Sequence, residues 1–174
     1  REHERNHQQQ AMYAVIHGGV NAELRQNSCR YLASNNFDGF AIGGSLGKNS
    51  DDIVYILNAC QPHLPVEKPR HLLGIADIPS IERSIPYGID TFDSCYPSRL
   101  ARHGVLLSEH GRLKITAGRY KRDMSPIDSN CPCYVCKNHT RAYLHHLFKA
   151  REPSAATLAT IHNMQAMAQY MQRL

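Results

Sequence analysis

The sequence predicts an α/β fold in which short parallel strands alternate with helices, four βα units making half of an eight-stranded barrel. Three observations carry that reading. Four short apolar runs, at residues 13–17, 39–42, 71–75 and 89–95, recur along the first part of the chain, two of them ending in Gly18-Gly19 and Gly43-Gly44. Runs this short and apolar suit strands buried on both faces, as in parallel sheets. Their starts at residues 13, 39, 71 and 89 leave room for a helix in each connection. A flat doubly wound sheet satisfies the same spacing.

The connections read as helices. After the first run, Asn21 can cap a helix that turns Leu24, Ser28, Tyr31 and Leu32 toward the sheet. Ser50 can cap the next, with Asp51 and Asp52 in its first turn, where negative charge suits the helix dipole. Its apolar residues are Ile53, Ile56, Leu57 and Cys60, and Pro62 marks its end. A third starts near Pro79, uses Ile81 and Ile85, and stops at Gly88.

Beyond residue 103 the character changes. Residues 104–107 and 112–116, joined around His110-Gly111, predict a β-hairpin. Two helices follow, over residues 138–149 and 154–174. The expected organisation is four βα units in residues 1–103, then hairpin, cysteine cluster and C-terminal helices in residues 104–174.

Composition narrows the class. The chain has 174 residues, 42% hydrophobic and 20% charged, close to globular averages, so disorder and collagen-like structure are excluded. Its longest apolar runs fall far short of a membrane helix, so no membrane partner is expected. Its opening, Arg-Glu-His-Glu-Arg-Asn-His, is charged, unlike a signal peptide, and lacks an initiator Met, as a fragment or processed product would. Lys and Arg number 20 against 15 Asp and Glu, a balance that permits a polyanionic partner. The positive charge is dense at Arg99, Arg102, Arg112, Lys114, Arg119, Lys121 and Arg122.

Three of the six cysteines crowd together as Cys131, Cys133 and Cys136. Thiolates this close can wrap one face of a tetrahedral zinc ion, and a histidine on the following helices is the natural fourth ligand. His139, His145, His146 and His162 all qualify by type, and spacing does not choose among them. Three Cys and one His close the coordination shell, which points to a structural ion. Unpaired thiols of this kind fit a reducing compartment, hence a cytoplasmic protein.

Asp93 lies near the end of the fourth apolar run, the position where parallel α/β folds place their chemistry. A carboxylate there is either a structural acceptor or a reactive group. The paired glycines after the first two strands allow backbone amides to approach a flat ligand closely, or simply make tight turns.

Taken together, these residues resemble the tRNA-guanine transglycosylase family. The resemblance rests on residues 92–104 (Phe-Asp-Ser-Cys-Tyr-Pro-Ser-Arg-Leu-Ala-Arg-His-Gly), on Ile16-His17-Gly18-Gly19, on the run from Gly39 to Gly44, and on residues 68–74. It continues through Cys-x-Cys-x2-Cys, residues 140–146 and Thr160-Ile161-His162-Asn163, covering nearly the whole chain. It implies the C-terminal half of an irregular (β/α)8 TIM-type barrel with a zinc-binding subdomain. The implied reaction replaces guanine at the wobble position of certain tRNAs with a 7-substituted deazaguanine.

By that resemblance Asp93 matches the nucleophile, which forms a covalent ribosyl intermediate that the incoming base displaces. Cys131, Cys133, Cys136 and His162 match the zinc ligands. Gly43 and Gly44 match a base-contacting turn, and Leu73 stands where an apolar side chain, usually Met, packs on the base. Arg99 and Arg102 match residues that contact tRNA. His17 departs from the usual Gln, which alters the hydrogen bonds offered to the base edge. Gly47 resembles the queuine-using enzymes, and Asn49 removes an acidic residue suited to a cationic aminomethyl group, so queuine is the favoured base. The family's general acid/base aspartate has no counterpart here, so this chain alone is expected to be inactive. The full-length protein is expected to be a homodimer or heterodimer. A non-catalytic, zinc-stabilised tRNA-binding partner subunit is the rival reading.

Overall fold

A computed structural model describes residues 10–174, so the charged opening stretch lies outside the described residues. The chain divides into two compact units, one ending at Ser94 and the other spanning Cys95–Leu174. The division falls earlier in the chain than residue 103, because the segment after Asp93 forms a helix that packs within the second unit.

In the first unit, β1 (Tyr13–Ile16), β2 (Gly39–Ile42), β3 (Arg70–Leu72) and β4 (Thr91–Phe92) form one parallel sheet in chain order. The register pairs Val15 with Ala41, Ala41 with His71, and His71 with Thr91. Alternation then splits the sheet. Ala14, Ile16, Phe40, Ile42 and Leu72 join Ile53, Ile56, Leu57 and Cys29 in the core. Tyr13 and Val15 remain partly exposed on the opposite side of β1.

Helix α1 (Ala22–Ala33) starts as expected: Asn21 Oδ1 accepts the Leu24 N–H at 3.1 Å. Its inward face differs from the expected one. Leu24 and Tyr31 are exposed, whereas Arg25 and Cys29 are fully buried. Of the expected face only Leu32 packs against the core, and positions 25, 29 and 32 form as good a helical stripe as 24, 28 and 31. Hydrophobicity pointed to the wrong one because the arginine spends its charge on backbone carbonyls. Helix α2 (Ser50–Cys60) is capped by Asn49 rather than Ser50, its side chain accepting from Asp51 and Asp52 N–H at 2.9 and 3.0 Å. Helix α3 (Ile78–Ser84) begins at an Asp77 cap with Pro79 in its first turn.

The second unit opens with α4 (Tyr96–Arg102), a helix the sequence reading missed. The hairpin follows as β5 (Val105–Ser108) and β6 (Gly111–Lys114), with Glu109-His110 at the turn. The single helix expected over residues 138–149 is two, α5 (Tyr134–Asn138) and α6 (Arg141–Ala150), the latter capped by Thr140. Helix α7 (Pro153–Met171) completes the chain. Leu106, Ile115, Ile127, Val135, Leu144 and Ala159 form this unit's core. Asn163 on α7 ties it together: its Oδ1 accepts from Leu107 N–H at 2.9 Å, and its Nδ2 donates to the Pro97 and Val105 carbonyls. No described helix is long and apolar enough to cross a membrane.

Candidate active site and metal centre

Every strand of the parallel sheet hands the chain to a loop at its C-terminal end, and the expected base-binding residues lie there. His17 follows β1, Gly43-Gly44 follow β2, Leu73 follows β3 and Asp93 follows β4. The glycines bring them close. A Cβ on Gly43 would stand 2.5 Å from Leu73 Cδ1, and one on Gly44 would stand 2.8 Å from His17 Nδ1. Gly44 also has φ +75°, a conformation side chains disfavour.

Arg25 fixes these turns from beneath. Its Nε donates to Gly19 O at 2.8 Å, Nη1 to Ile16 O and Gly43 O at 2.9 and 2.8 Å, and Nη2 to Ser45 O at 3.0 Å. Two loops from neighbouring strands thus share one rigid, fully buried fork. Burial lowers the Arg25 pKa from its usual value, and the carbonyl dipoles compensate the desolvated charge.

Asp93 is held differently. Oδ1 accepts from the Gly74 N–H at 3.0 Å and lies 3.0 Å from His71 Nε2, while the side chain stays 59% exposed. The Gly74 amide, and then His71, hold its carboxyl below the usual carboxylate range. An ionised, accessible carboxylate at a strand end can act as a nucleophile.

Arg99 and Arg102 belong to the second unit, both exposed on α4 one helical turn apart. Arg99 Nη2 donates to Cys95 Sγ at 2.8 Å. Their helix is fixed by the Asn163–Pro97 bond. The two arginines present donors suited to phosphate or base.

In the same unit, Cys131, Cys133, Cys136 and His162 converge, their ligand atoms all within 4.8 Å of one another. His162 Nδ1 lies 3.7, 3.6 and 3.4 Å from the three sulfurs. A tetrahedral zinc ion with ordinary bond lengths needs sulfur and nitrogen about 3.6 Å apart. His162 Nε2 donates to Leu107 O at 2.6 Å, which leaves the Nδ1 lone pair facing the sulfurs. Burial keeps the imidazole neutral by lowering its pKa, and pushes the Cys131 and Cys136 thiols up in the metal-free state. An arriving ion displaces those protons. The donor set fits zinc and leaves no open position, so His139, His145 and His146 have no share in it. Tyr134, His139 and Tyr143 instead pack ring against ring.

Sequence reasoning did not single out His71, Thr91, Arg25 or Asn163 for these roles. The first two were findable by register, since parallel β3 and β4 place His71 opposite Thr91 and one row before Asp93. Arg25 carried the signal of a charged residue four positions before a buried Cys29 on one helix face.

The family model described as queuine tRNA-ribosyltransferase matches residues 1–174. The chain belongs to that family. It is 53% identical to a queuine tRNA-ribosyltransferase of Protochlamydia amoebophila over 171 residues, which is 98% of this chain and 44% of the relative. It is 47% identical to that of Chlamydia felis over 173 residues, 99% of this chain and 46% of the relative. The corresponding Chlamydia trachomatis serovar D protein is 49% identical over 166 residues, 95% of this chain and 45% of the relative. The chain thus spans about half the length of the curated relatives it matches. Within the family, its four parallel βα units and Cys3His centre are the C-terminal half of the barrel with its zinc subdomain.

Proposed function

We propose that this chain contributes the nucleophile, part of the base pocket and a tRNA-contacting face to an enzyme that exchanges guanine at the wobble position of tRNA for a 7-deazaguanine. The observation that carries the reading is Asp93: ionised, accessible and held on one oxygen, beside the His17, Gly43, Gly44 and Leu73 strand ends. The carboxylate attacks the ribose anomeric carbon and guanine departs. The incoming base then displaces Asp93, so two inversions restore the configuration. Leu73 packs on the base, the Gly43-Gly44 turn meets its edge, and His17 offers it a ring nitrogen. Arg99 and Arg102 hold the tRNA backbone, which makes binding salt-dependent. Zinc, when bound by the four ligands, supplies structural closure of the second unit.

Queuine remains the favoured incoming base, on narrower grounds than the sequence offered. Gly47 has φ +91°, and a Cβ there would collide with the Asp52 side chain, so its smallness already has a local cause. Asn49 is likewise committed to capping α2. Leu46, Gly47 and Lys48, just past the Gly43-Gly44 turn, line an open cavity together with Ile75, Asp77 and Ser80, and this reading assigns that space to the substituent of the base. Exchange assays of the complete enzyme with queuine and with its aminomethyl precursor test this choice. Faster exchange with the precursor refutes it. Incubation of the complete enzyme with guanine-bearing tRNA, followed by denaturing electrophoresis, tests the mechanism. A retained tRNA adduct that Asp93→Asn abolishes is expected; no adduct in either protein would favour the non-catalytic tRNA-binding subunit. Exchange is expected to be absent in this chain alone.

A further inference from the structure

Resting on the reading of Asp93 as nucleophile, we infer that His71 is a positioning residue that, with the Gly74 amide, clamps Asp93 Oδ1. The clamp leaves Oδ2 to attack and makes the carboxylate a better leaving group in the second displacement. His71 Nδ1 lies 2.8 Å from Thr91 Oγ1, and its Nε2 3.0 Å from Asp93 Oδ1. An ionised carboxylate only accepts, so Nε2 carries the hydrogen, and in the neutral ring Nδ1 accepts from the Thr91 hydroxyl. The carboxylate therefore selects the tautomer, and the Thr91 hydroxyl, which can donate to Nδ1, supports it. Gly74 N–H adds a second donor to the same oxygen at 3.0 Å. Oδ2 has no such partner among the described residues.

The chemistry follows from where negative charge resides. As Oδ2 bonds to the anomeric carbon, the bond from that carbon to the purine nitrogen breaks. The purine leaves with the electron pair and takes a proton from water. Oδ1 is now the carbonyl oxygen of a glycosyl ester and carries little charge. When the incoming base attacks and yields its own proton to water, the ester bond breaks and the electron pair returns to the carboxylate. Both donors bind the carboxylate more strongly than the ester, so they favour release of the sugar from Asp93. The depressed proton affinity of Asp93 is the same preference read with a proton in place of the sugar carbon.

Adduct accumulation in the complete enzyme during steady exchange tests the clamp. His71→Phe removes one donor and is expected to raise the ratio of adduct to free enzyme about tenfold, the order expected for one charge-assisted hydrogen bond to a partly exposed group. His71→Gln, whose side-chain amide can donate, should bring the ratio back toward that of the unchanged enzyme. If His71 served only the fold, both half-reactions would slow together and the ratio would stay put, which overturns the clamp. Adduct persisting in Asp93→Asn would instead overturn the underlying reading of Asp93, so the two failures are distinguishable. Nitrogen NMR of this chain adds a readout independent of activity: hydrogen on Nε2 of His71 supports the clamp, and hydrogen on Nδ1 alone overturns it.

Discussion

Asp93 keeps most of its side chain in solvent and spends one oxygen on two donors, whereas Cys131, Cys133 and His162 are buried, with their ligand atoms turned toward one another. The first arrangement leaves valence over for a visitor. The second, once an ion is bound, leaves none. The contrast extends to what supports each. A neighbouring strand and a loop amide aim the carboxylate, while the histidine is fixed by a carbonyl of the hairpin. The lesson is that a site's chemistry is legible in how much bonding capacity it leaves open.

Removing the metal should separate the two regions most sharply. Cys133→Ser, or a strong chelator, is expected to cost the second unit on the order of 10 kcal/mol of binding-coupled stability. Zinc analysis and calorimetry of the isolated chain check this; one zinc per chain is expected before treatment and none after it. An unchanged melt would mean that the thiols merely pack.

Asp93→Asn should act in the opposite sense. Exchange by the complete enzyme is expected to fall by about four orders of magnitude, as for loss of a nucleophile. Zinc content should be unmoved and the melting temperature at neutral pH should fall only slightly, since a largely exposed side chain contributes little to folding. In the first unit's core, Ile56→Ala removes a fully buried side chain and should cost about 2–5 kcal/mol in denaturant unfolding. Asn21→Ala deletes the α1 cap and should cost about 1 kcal/mol by the same measurement.

The smallest effect expected is a pH dependence. The folded-state pKa of Asp93 is depressed, by the Gly74 amide first and His71 second. Its stabilising contribution is therefore present above the ordinary carboxylate range and lost as pH falls through the folded value. Solvent screening keeps it small. Acid titration of the chain and of Asp93→Asn should show two stability curves that converge at low pH.

The strands were readable because each is a short apolar run with a glycine close to at least one end, and the three zinc thiols because cysteines so close in sequence have few other uses, while the choice of His162 came only with the family resemblance. Helix α4 was missed because Tyr-Pro-Ser-Arg sits inside the motif that drew attention to chemistry, although Pro97 in the first turn is itself a helix-start signal. The stripe on α1 was misassigned because a hydropathy rule has no place for a cation satisfied by four carbonyl contacts. His71 was read as strand; its part in the site emerges only once register places it beside Thr91. What escaped the sequence was pairwise geometry, which lies in contacts between distant segments.

Arg25 carries a last consequence. None of its partners is a carboxylate, and peptide oxygens neither titrate nor exchange counterions. The corner it braces should hold its shape across the salt concentrations that loosen protein contacts with nucleic acid. Added salt would weaken the proposed grip on RNA and spare the mould.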